Sequence, residues 1–379
     1  MFSSAIKLFN LAGFDIKLDP SWFLIAGLIS WGLATQYFPV TLPHLNEAAY
    51  FILAIIAMLG FFGSLLLHEM AHSVVARNYG VQITGITLFL FGGVAELENE
   101  VPSAKAEFWV AIAGPLMSIA LGAGFWIASV LMHNFLGVGP LVVVLAYLAT
   151  INIVIAIFNM VPAFPLDGGR VLRAYLWSRN GDVLRATRTT TRSGTVFGYG
   201  LTILGVFALF QGAPAAGVWY MLIGFFVIAA ARSAYQNQLM ETTFKGKTVA
   251  AVMSRDPVVV PPEITLAEFV NQVMLKYHVS FAPVVSNGVL IGAIDKEVLA
   301  AVNRENWANT HVGDVFAGLD VAAIVAPDMT VANLFKRIAE TGTRKFLVVR
   351  DHRLLGVVTL ADLLGQLYAA DHANRRKVR

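Results

Sequence analysis

Leu65-Leu66-Leu67-His68-Glu69-Met70-Ala71-His72 lies inside an apolar run long enough to cross a bilayer, and it decides how the rest of the chain must fold. On a helix His68 and His72 share one face, where two imidazoles can hold one metal ion. Glu69 stands one step round the helix, placed to take a proton from water that zinc activates by lowering its pKa to about 7. The competing reading is a polar helix-packing patch. Ionisable side chains at membrane depth cost several kcal/mol unless they are paired, ligating or facing a wet cavity, which weighs against that reading.

The chain has 379 residues, 57 % of them hydrophobic and 13 % charged. Its mean hydropathy is +0.68. An ordinary soluble protein carries about 25 % charged residues, so this composition predicts a polytopic membrane protein. The formal net charge of +3 is too small to suggest direct nucleic-acid binding. Absence of cysteine excludes disulfides and thiolate metal sites, leaving His, Asp and Glu as ligands. Met1 to Gly13 carries Lys7 but no apolar core with a small-residue cleavage site, which argues against a cleavable signal peptide.

Phe14-Asp15-Ile16-Lys17-Leu18-Asp19 alternates apolar and charged residues, the period of a strand with one wet face. A first span is expected from Trp22 to Tyr37, ending at Pro39 and Pro43, and a second from near Ala49 to Ala76 with Arg77 as its interfacial anchor. His68 then lies roughly 13 Å along the helix from Arg77, inside the hydrocarbon but nearer that end. Val81 to Val101 is rich in β-branched residues and contains Gly92-Gly93, which reads as a hairpin with a Gly-Gly turn. Glu96, Glu98 and Glu100 of its second arm read as a solvated strand face. The apolar Phe89 to Val94 tip offers exposed backbone that can pair with an extended polypeptide.

Further spans are expected over about Phe108 to Met132, containing Ala113-Gly114-Pro115, and about Leu141 to Phe158. The chain then reads Asn159-Met160-Val161-Pro162-Ala163-Phe164-Pro165-Leu166-Asp167-Gly168-Gly169-Arg170. Two prolines break the helix, and two glycines permit unusual backbone angles around the aspartate. Such backbone is tolerated at membrane depth only when buried in protein or lining a cavity. Asp167 can be a turn-forming residue, or it can turn its carboxylate towards His68 and His72 as the third ligand, leaving a position open for water. Asn159 can offer its amide to an oxyanion or to a substrate backbone.

Apolar runs from about Val196 to Phe210 and Val218 to Ala231 complete six expected spans. The loops between spans one and two, three and four, and five and six lack Lys and Arg, while the alternate loops and both ends carry them. The positive-inside rule then puts both termini and the metal-bearing ends of spans two and four in the cytoplasm.

From Phe244 the sequence becomes that of a soluble α/β domain and repeats itself at an offset of about 64 residues. Leu290-Ile291-Gly292-Ala293-Ile294-Asp295 corresponds to Leu354-Leu355-Gly356-Val357-Val358-Thr359, and each half runs helix, strand, turn, strand.

His-Glu-x-x-His in the second span, together with Asn-x-x-Pro-x-x-Pro-Leu-Asp-Gly-Gly, resembles the site-2 protease family of intramembrane zinc metalloproteases. The C-terminal repeat resembles a pair of cystathionine-β-synthase (CBS) domains, as in the branch of that family that includes the Bacillus sporulation protease. The resemblance implies a polytopic α-helical membrane protein of about six transmembrane helices with a re-entrant β-hairpin, plus a cytosolic α/β tandem CBS domain. It divides the chain into a protease domain over 1–235, a linker over 236–247, CBS repeats over 248–304 and 311–370, and a basic tail over 371–379. It matches His68, His72 and Asp167 to zinc ligands, Glu69 to the base, Asn159 to a substrate-site asparagine, and the hairpin at Gly92 and Gly93 to a substrate-engaging loop. The implied substrate is a membrane protein, often one that controls transcription.

Nucleotide-binding CBS pairs use a Ser or Thr with an Asp three residues later, a pattern that Thr359 and Asp362 fit and Asp295 and Val298 do not. An adenine nucleotide such as ATP is therefore expected in the second half, and the Asp295 carboxylate is expected to repel phosphate in the first. A folded dimerisation module, compatible with a homo-oligomer, is the other reading of the pair. The rival for the whole chain is a CBS-gated ion channel or transporter whose intramembrane His, Glu and Asp bind or conduct an ion. A further rival is a zinc peptidase of soluble substrates, merely anchored in the membrane.

Overall fold

The alternation of Phe14-Asp15-Ile16-Lys17-Leu18 produces a strand, β2 (Phe14–Leu18), that buries Phe14, Ile16 and Leu18. In the computed structural model, which describes residues 5–97, 101–137, 139–351 and 353–376, β2 is preceded by β1 (Ile6–Leu11), its antiparallel neighbour. Strand β1 has no buried face, so no alternation announced it. On its other side β2 runs parallel to β3 (Ile83–Phe89), which pairs antiparallel with β4 (Gly92–Leu97). The sheet order is β1-β2-β3-β4. Its apolar face packs Phe14, Ile16, Ile86 and Leu88 against Ile25, Met58, Phe62 and Leu65 of two spans.

Among the described residues six helices are long and apolar enough to cross a membrane. The first joins α1 (Ser21–Gly32), a π-helical turn over Leu33–Tyr37 and α2 (Phe38–Thr41). Pro39 does not end it as expected. It occupies the first turn of α2, where a missing N–H costs little. The second, third and fourth spans are α3 (Glu47–Asn78), α4 (Ala104–Leu136) and α5 (Pro140–Asn159). Both α3 and α4 start earlier than the apolar runs, because Asn46 and Ser103 cap the N–H groups of Ala49 and Ala106.

After α5 the chain does not stay irregular through Asp167. Asp167 opens a helix of its own, α6 (Asp167–Asn180), which ends at Gly181 in the left-handed conformation. Gly168 and Gly169 lie inside that helix and not at unusual angles. A Cβ on Gly168 would strike the Met160 carbonyl, and one on Gly169 the Phe164 nitrogen, so the glycines let α6 pack on the backbone that precedes it. The last two spans are α7 (Val183–Phe210), capped by Asp182, and α8 (Pro214–Phe244). The chain divides into units Met1–Gln236 and Asn237–Arg379, and α8 continues to Phe244, so most of the 236–247 stretch expected as a linker is helical.

The second unit contains α9 (Val249–Val252), β5 (Ser254–Arg255), then α10 (Leu266–Glu268) and α11 (Leu275–Tyr277) joined by a π-helical Phe269–Met274. Strands β6 (Phe281–Ser286) and β7 (Val289–Asp295) and helix α12 (Lys296–Ala300) close the first repeat. The second has α13 (Val312–Val315), β8 (Ala317–Gly318), β9 (Ile324–Val325), α14 (Val331–Thr341), β10 (Lys345–Arg350), β11 (Arg353–Thr359) and α15 (Leu360–Arg376). The opening segments are exchanged between repeats. Strand β5 pairs with β11, and β8 with β7. Accordingly Val249 and Val252 are buried with Leu334, Phe346 and Val358, while Val312 is buried with Phe269, Val284 and Ile294. Neither repeat completes its core alone.

Candidate metal centre

Helix α3 presents His68 and His72 one turn apart on a buried face, 2 % and 5 % exposed. Asp167, the first residue of α6, meets them from the other side at 8 % exposure. The two Nε2 atoms are 3.2 Å apart, and Asp167 Oδ2 lies 3.2 Å from His68 Nε2 and 3.3 Å from His72 Nε2. Ligands about 2.0–2.1 Å from a tetrahedral ion are separated by about 3.3 Å, so this triangle is one face of a zinc-sized tetrahedron.

The proton positions agree. His72 Nδ1 lies 2.6 Å from the Val110 carbonyl, which can only accept, so Nδ1 carries the hydrogen and Nε2 keeps its lone pair for a metal. His68 Nδ1 is 2.9 Å from Ser118 Oγ, which leaves its Nε2 likewise turned to Asp167. Gly114 of α4 supplies clearance, because a Cβ there would collide with both Nε2 atoms. Two imidazoles and a carboxylate with no sulfur form a donor set that suits zinc. The residues fit the ion.

Glu69 is half-buried and has no hydrogen-bond or ion-pair partner among the described residues. It is covered by the hairpin. A Cβ on Gly93 would come within 2.5 Å of Glu69 Cγ. The expected Gly-Gly turn is thus displaced: Leu90 and Phe91 make the turn, while Gly92 and Gly93 begin β4. Gly92 adopts φ +138°, and Gly93 is needed for close approach to Glu69. The tip is fastened, since the Leu90 N–H donates to Ser21 Oγ at 3.2 Å and Phe91 stacks on Phe226 of α8 at 4.3 Å. Among the described residues strand β4 is an edge of its sheet, with one strand neighbour. Glu96 is not simply solvated, for it accepts from Lys17 at 2.6 Å and from Thr87 at 2.9 Å. Glu98 and Glu100 lie outside the described residues.

Asn159 is the last residue of α5, half-buried and without a side-chain hydrogen bond to another described residue. Sequence reasoning missed Val110, Gly114 and Ser118. Their spacing of four along one face of α4 was the available signal, but the run reads simply as a span.

In the second unit Thr359 caps α15. Its hydroxyl donates to Asp362 Oδ2 at 2.8 Å, and it accepts from the Asp362 N–H at 3.1 Å. The corresponding Asp295, whose carboxylate is expected to repel phosphate, is engaged within the protein. Lys345 Nζ reaches it at 2.6 Å and Glu297 at 3.1 Å. Burial would raise the Asp295 pKa, but hydrogen bonding with the Glu297 side chain, with Lys345 and with the Val298 N–H outweighs it and holds the carboxyl below its usual range.

A membrane-spanning helical unit with two imidazoles and a carboxylate at zinc-binding separation, beside an unpartnered glutamate, defines a membrane-embedded metallohydrolase. The chain belongs to peptidase family M50, whose model matches residues 56–138 and 133–201. The CBS domain model matches residues 249–302 and 317–369. Rip3 of Mycobacterium tuberculosis is 35 % identical over 361 residues, covering 95 % of this chain and 92 % of Rip3. Zinc metalloprotease MJ0392 of Methanocaldococcus jannaschii is 29 % identical over 360 residues, covering 95 % of each chain. Among solved structures, a site-2 protease from the same archaeon is 30 % identical and covers 61 % of this chain and 95 % of that one, with a TM-score of 0.43. The protein is a site-2 protease-like zinc metalloprotease with a CBS pair.

Gly93→Ala tests the hairpin. The added methyl must displace Glu69 or the strand, and a misplacement of about 1 Å can cost about 100-fold in rate. Cleavage is expected to fall at least about tenfold with zinc content unchanged; wild-type cleavage would show that the hairpin moves aside without consequence.

Proposed function

We propose that His68, His72 and Asp167 hold one zinc ion and that the protein hydrolyses a peptide bond in or near a transmembrane segment of a membrane-associated substrate. The observation that carries this is the triangle of ligand atoms, 3.2 to 3.3 Å on each side, with Glu69 one residue from His68. Zinc, when bound, supplies Lewis acidity and lowers the pKa of water to about 7. Glu69 takes the proton from the attacking water and returns it to the leaving amine. Asn159 donates its amide to the developing oxyanion or to the substrate backbone. The free edge of β4, at Gly92 and Gly93, pairs with the substrate in extended form, which exposes a bond that a helix would shield.

The site's depth in the membrane supports an apolar substrate. In reconstituted vesicles the purified protein is expected to cleave a polypeptide with one apolar segment and to leave a water-soluble peptide lacking that segment intact. Equal cleavage of both would favour an anchored peptidase of soluble substrates. Ion flux without cleavage would favour a channel or transporter.

The distribution of Lys and Arg supports cytoplasmic termini and a cytoplasmic CBS pair in the cell membrane. The chain has no cysteine, so single cysteines introduced at either end report their side directly; labelling from outside intact cells would reverse the topology.

For the CBS pair the proposed ligand is an adenine nucleotide. The Thr359 hydroxyl meets its phosphate, and the Asp362 carboxylate accepts from its ribose hydroxyls. In the first repeat the residue matching Thr359 is Asp295, whose carboxylate is already engaged by Lys345, which supports about one site per pair. ATP titrated into the full-length protein is expected to bind, and Asp362→Ala to abolish that binding and any nucleotide dependence of cleavage. No binding of an adenosine ligand at millimolar concentration would make the pair a docking or dimerisation module. Regulation further requires the nucleotide to favour one of two protein states.

A further inference from the structure

Four positions of α4, Glu107, Val110, Gly114 and Ser118, follow one another at helical spacing and so lie along one face. Three of them already serve the histidines: the Val110 carbonyl fixes His72, Ser118 meets His68, and Gly114 makes room for both rings. Glu107 is the remaining member. It is fully buried, and its Oε1 receives both Nε and Nη2 of Arg173 on α6. Its Oε2 is buried without a partner, so Arg173 is the one group among the described residues that compensates a carboxylate removed from water.

Arg173 lies six residues beyond Asp167 on the same helix. That places the two side chains about 9 Å apart along the α6 axis and about 120° apart around it. Close packing of Gly168 and Gly169 on residues 160–164 seats only the first turn of α6. The Glu107–Arg173 pair ties the helix to α4 at a second level and on a different face, which opposes sliding and rotation. The Arg173 guanidinium also lies 5.4 Å from the centre of the Phe164 ring, in the segment that leads into Asp167. The Phe164 N–H is in turn bound to the Thr190 carbonyl at 3.3 Å, and a Cβ on Gly194 of α7 would collide with the Phe164 carbonyl.

We infer that Glu107 and Arg173 are positioning residues for the metal, holding Asp167 in register with the two histidines, so that one face of α4 supports every member of the ligand set. The inference rests on His68, His72 and Asp167 being the zinc ligands. It distinguishes this pair from an ordinary packing contact, because loss of the pair must be felt at the metal and not only in stability.

The test uses full-length protein in lipid discs, loaded with zinc or with cobalt(II). Glu107→Gln and Arg173→Gln are expected to release zinc to a competing chelator at least about tenfold faster than wild type, the scale at which outer-shell partners act on affinity. Their cobalt absorption should shift towards that of Asp167→Ala. Arg173→Lys, which keeps the charge but loses the fork, should lie between wild type and Arg173→Gln, and it carries the test if Glu107→Gln does not accumulate. Leu148→Ala, a cavity variant in buried α5 packing, should lower the melting temperature while leaving release and spectrum unchanged. Wild-type release and spectra in the Glu107 and Arg173 variants would overturn the inference, and so would equal acceleration in Leu148→Ala. A wild-type chain that takes up neither metal overturns the ligand reading itself, and this inference with it.

Discussion

Glu69→Gln is expected to abolish proteolysis while the purified protein keeps its zinc. The replacement is isosteric, and Glu69 is not one of the three grouped ligands and forms no hydrogen bond or ion pair with them, so the metal-binding triangle stays intact. What is lost is the only carboxylate beside that triangle without a partner among the described residues, and with it the acceptor for the water proton. General-base catalysis contributes typically about 100- to 10,000-fold, so cleavage should fall by at least that range. Zinc content by atomic emission and cleavage in the same preparation make the check. Loss of zinc in this variant would make Glu69 a ligand, and retention of activity would move the base elsewhere.

Asp167→Ala should behave oppositely at the metal. It removes the only oxygen donor of the triangle and leaves two imidazoles, too few to hold zinc against dilution. Outer partners of a ligand are worth about 10- to 100-fold in metal affinity, so loss of the ligand itself should exceed that. Zinc content and cleavage are expected to fall together. Full occupancy and full activity would place the third ligand elsewhere. The contrast between the two substitutions separates holding the metal from activating the water.

Much of this site could be read from the sequence because its chemistry is local. His68, Glu69 and His72 lie within one helical turn, and a single periodicity places them. Asp167 follows from what the histidines lack, but its helical setting does not. Pro162, Pro165, Gly168 and Gly169 suggested irregular backbone, whereas the glycines are demanded by contact of α6 with the backbone of residues 160–164. The position of the hairpin turn likewise depends on a residue distant in sequence. Gly92 and Gly93 look like turn residues until Glu69, over twenty positions earlier, is seen to occupy the space a Gly93 side chain would need. Strand β1 carries no alternation, and the exchange of β5 and β8 between the CBS repeats is a pairing across distant sequence. Glu107 was equally hidden. At the start of a span a glutamate reads as a helix-dipole residue, and only the fold brings Arg173 to it.

The central claim, that zinc held by His68, His72 and Asp167 drives peptide hydrolysis within the membrane, is tested most directly by removing and restoring the metal in one reconstituted preparation. Wild-type protein in vesicles should contain one zinc per chain, lose cleavage of an apolar-segment substrate as a chelator strips that zinc, and regain it in proportion to zinc returned. Cleavage that persists after the bound zinc is gone would contradict the claim.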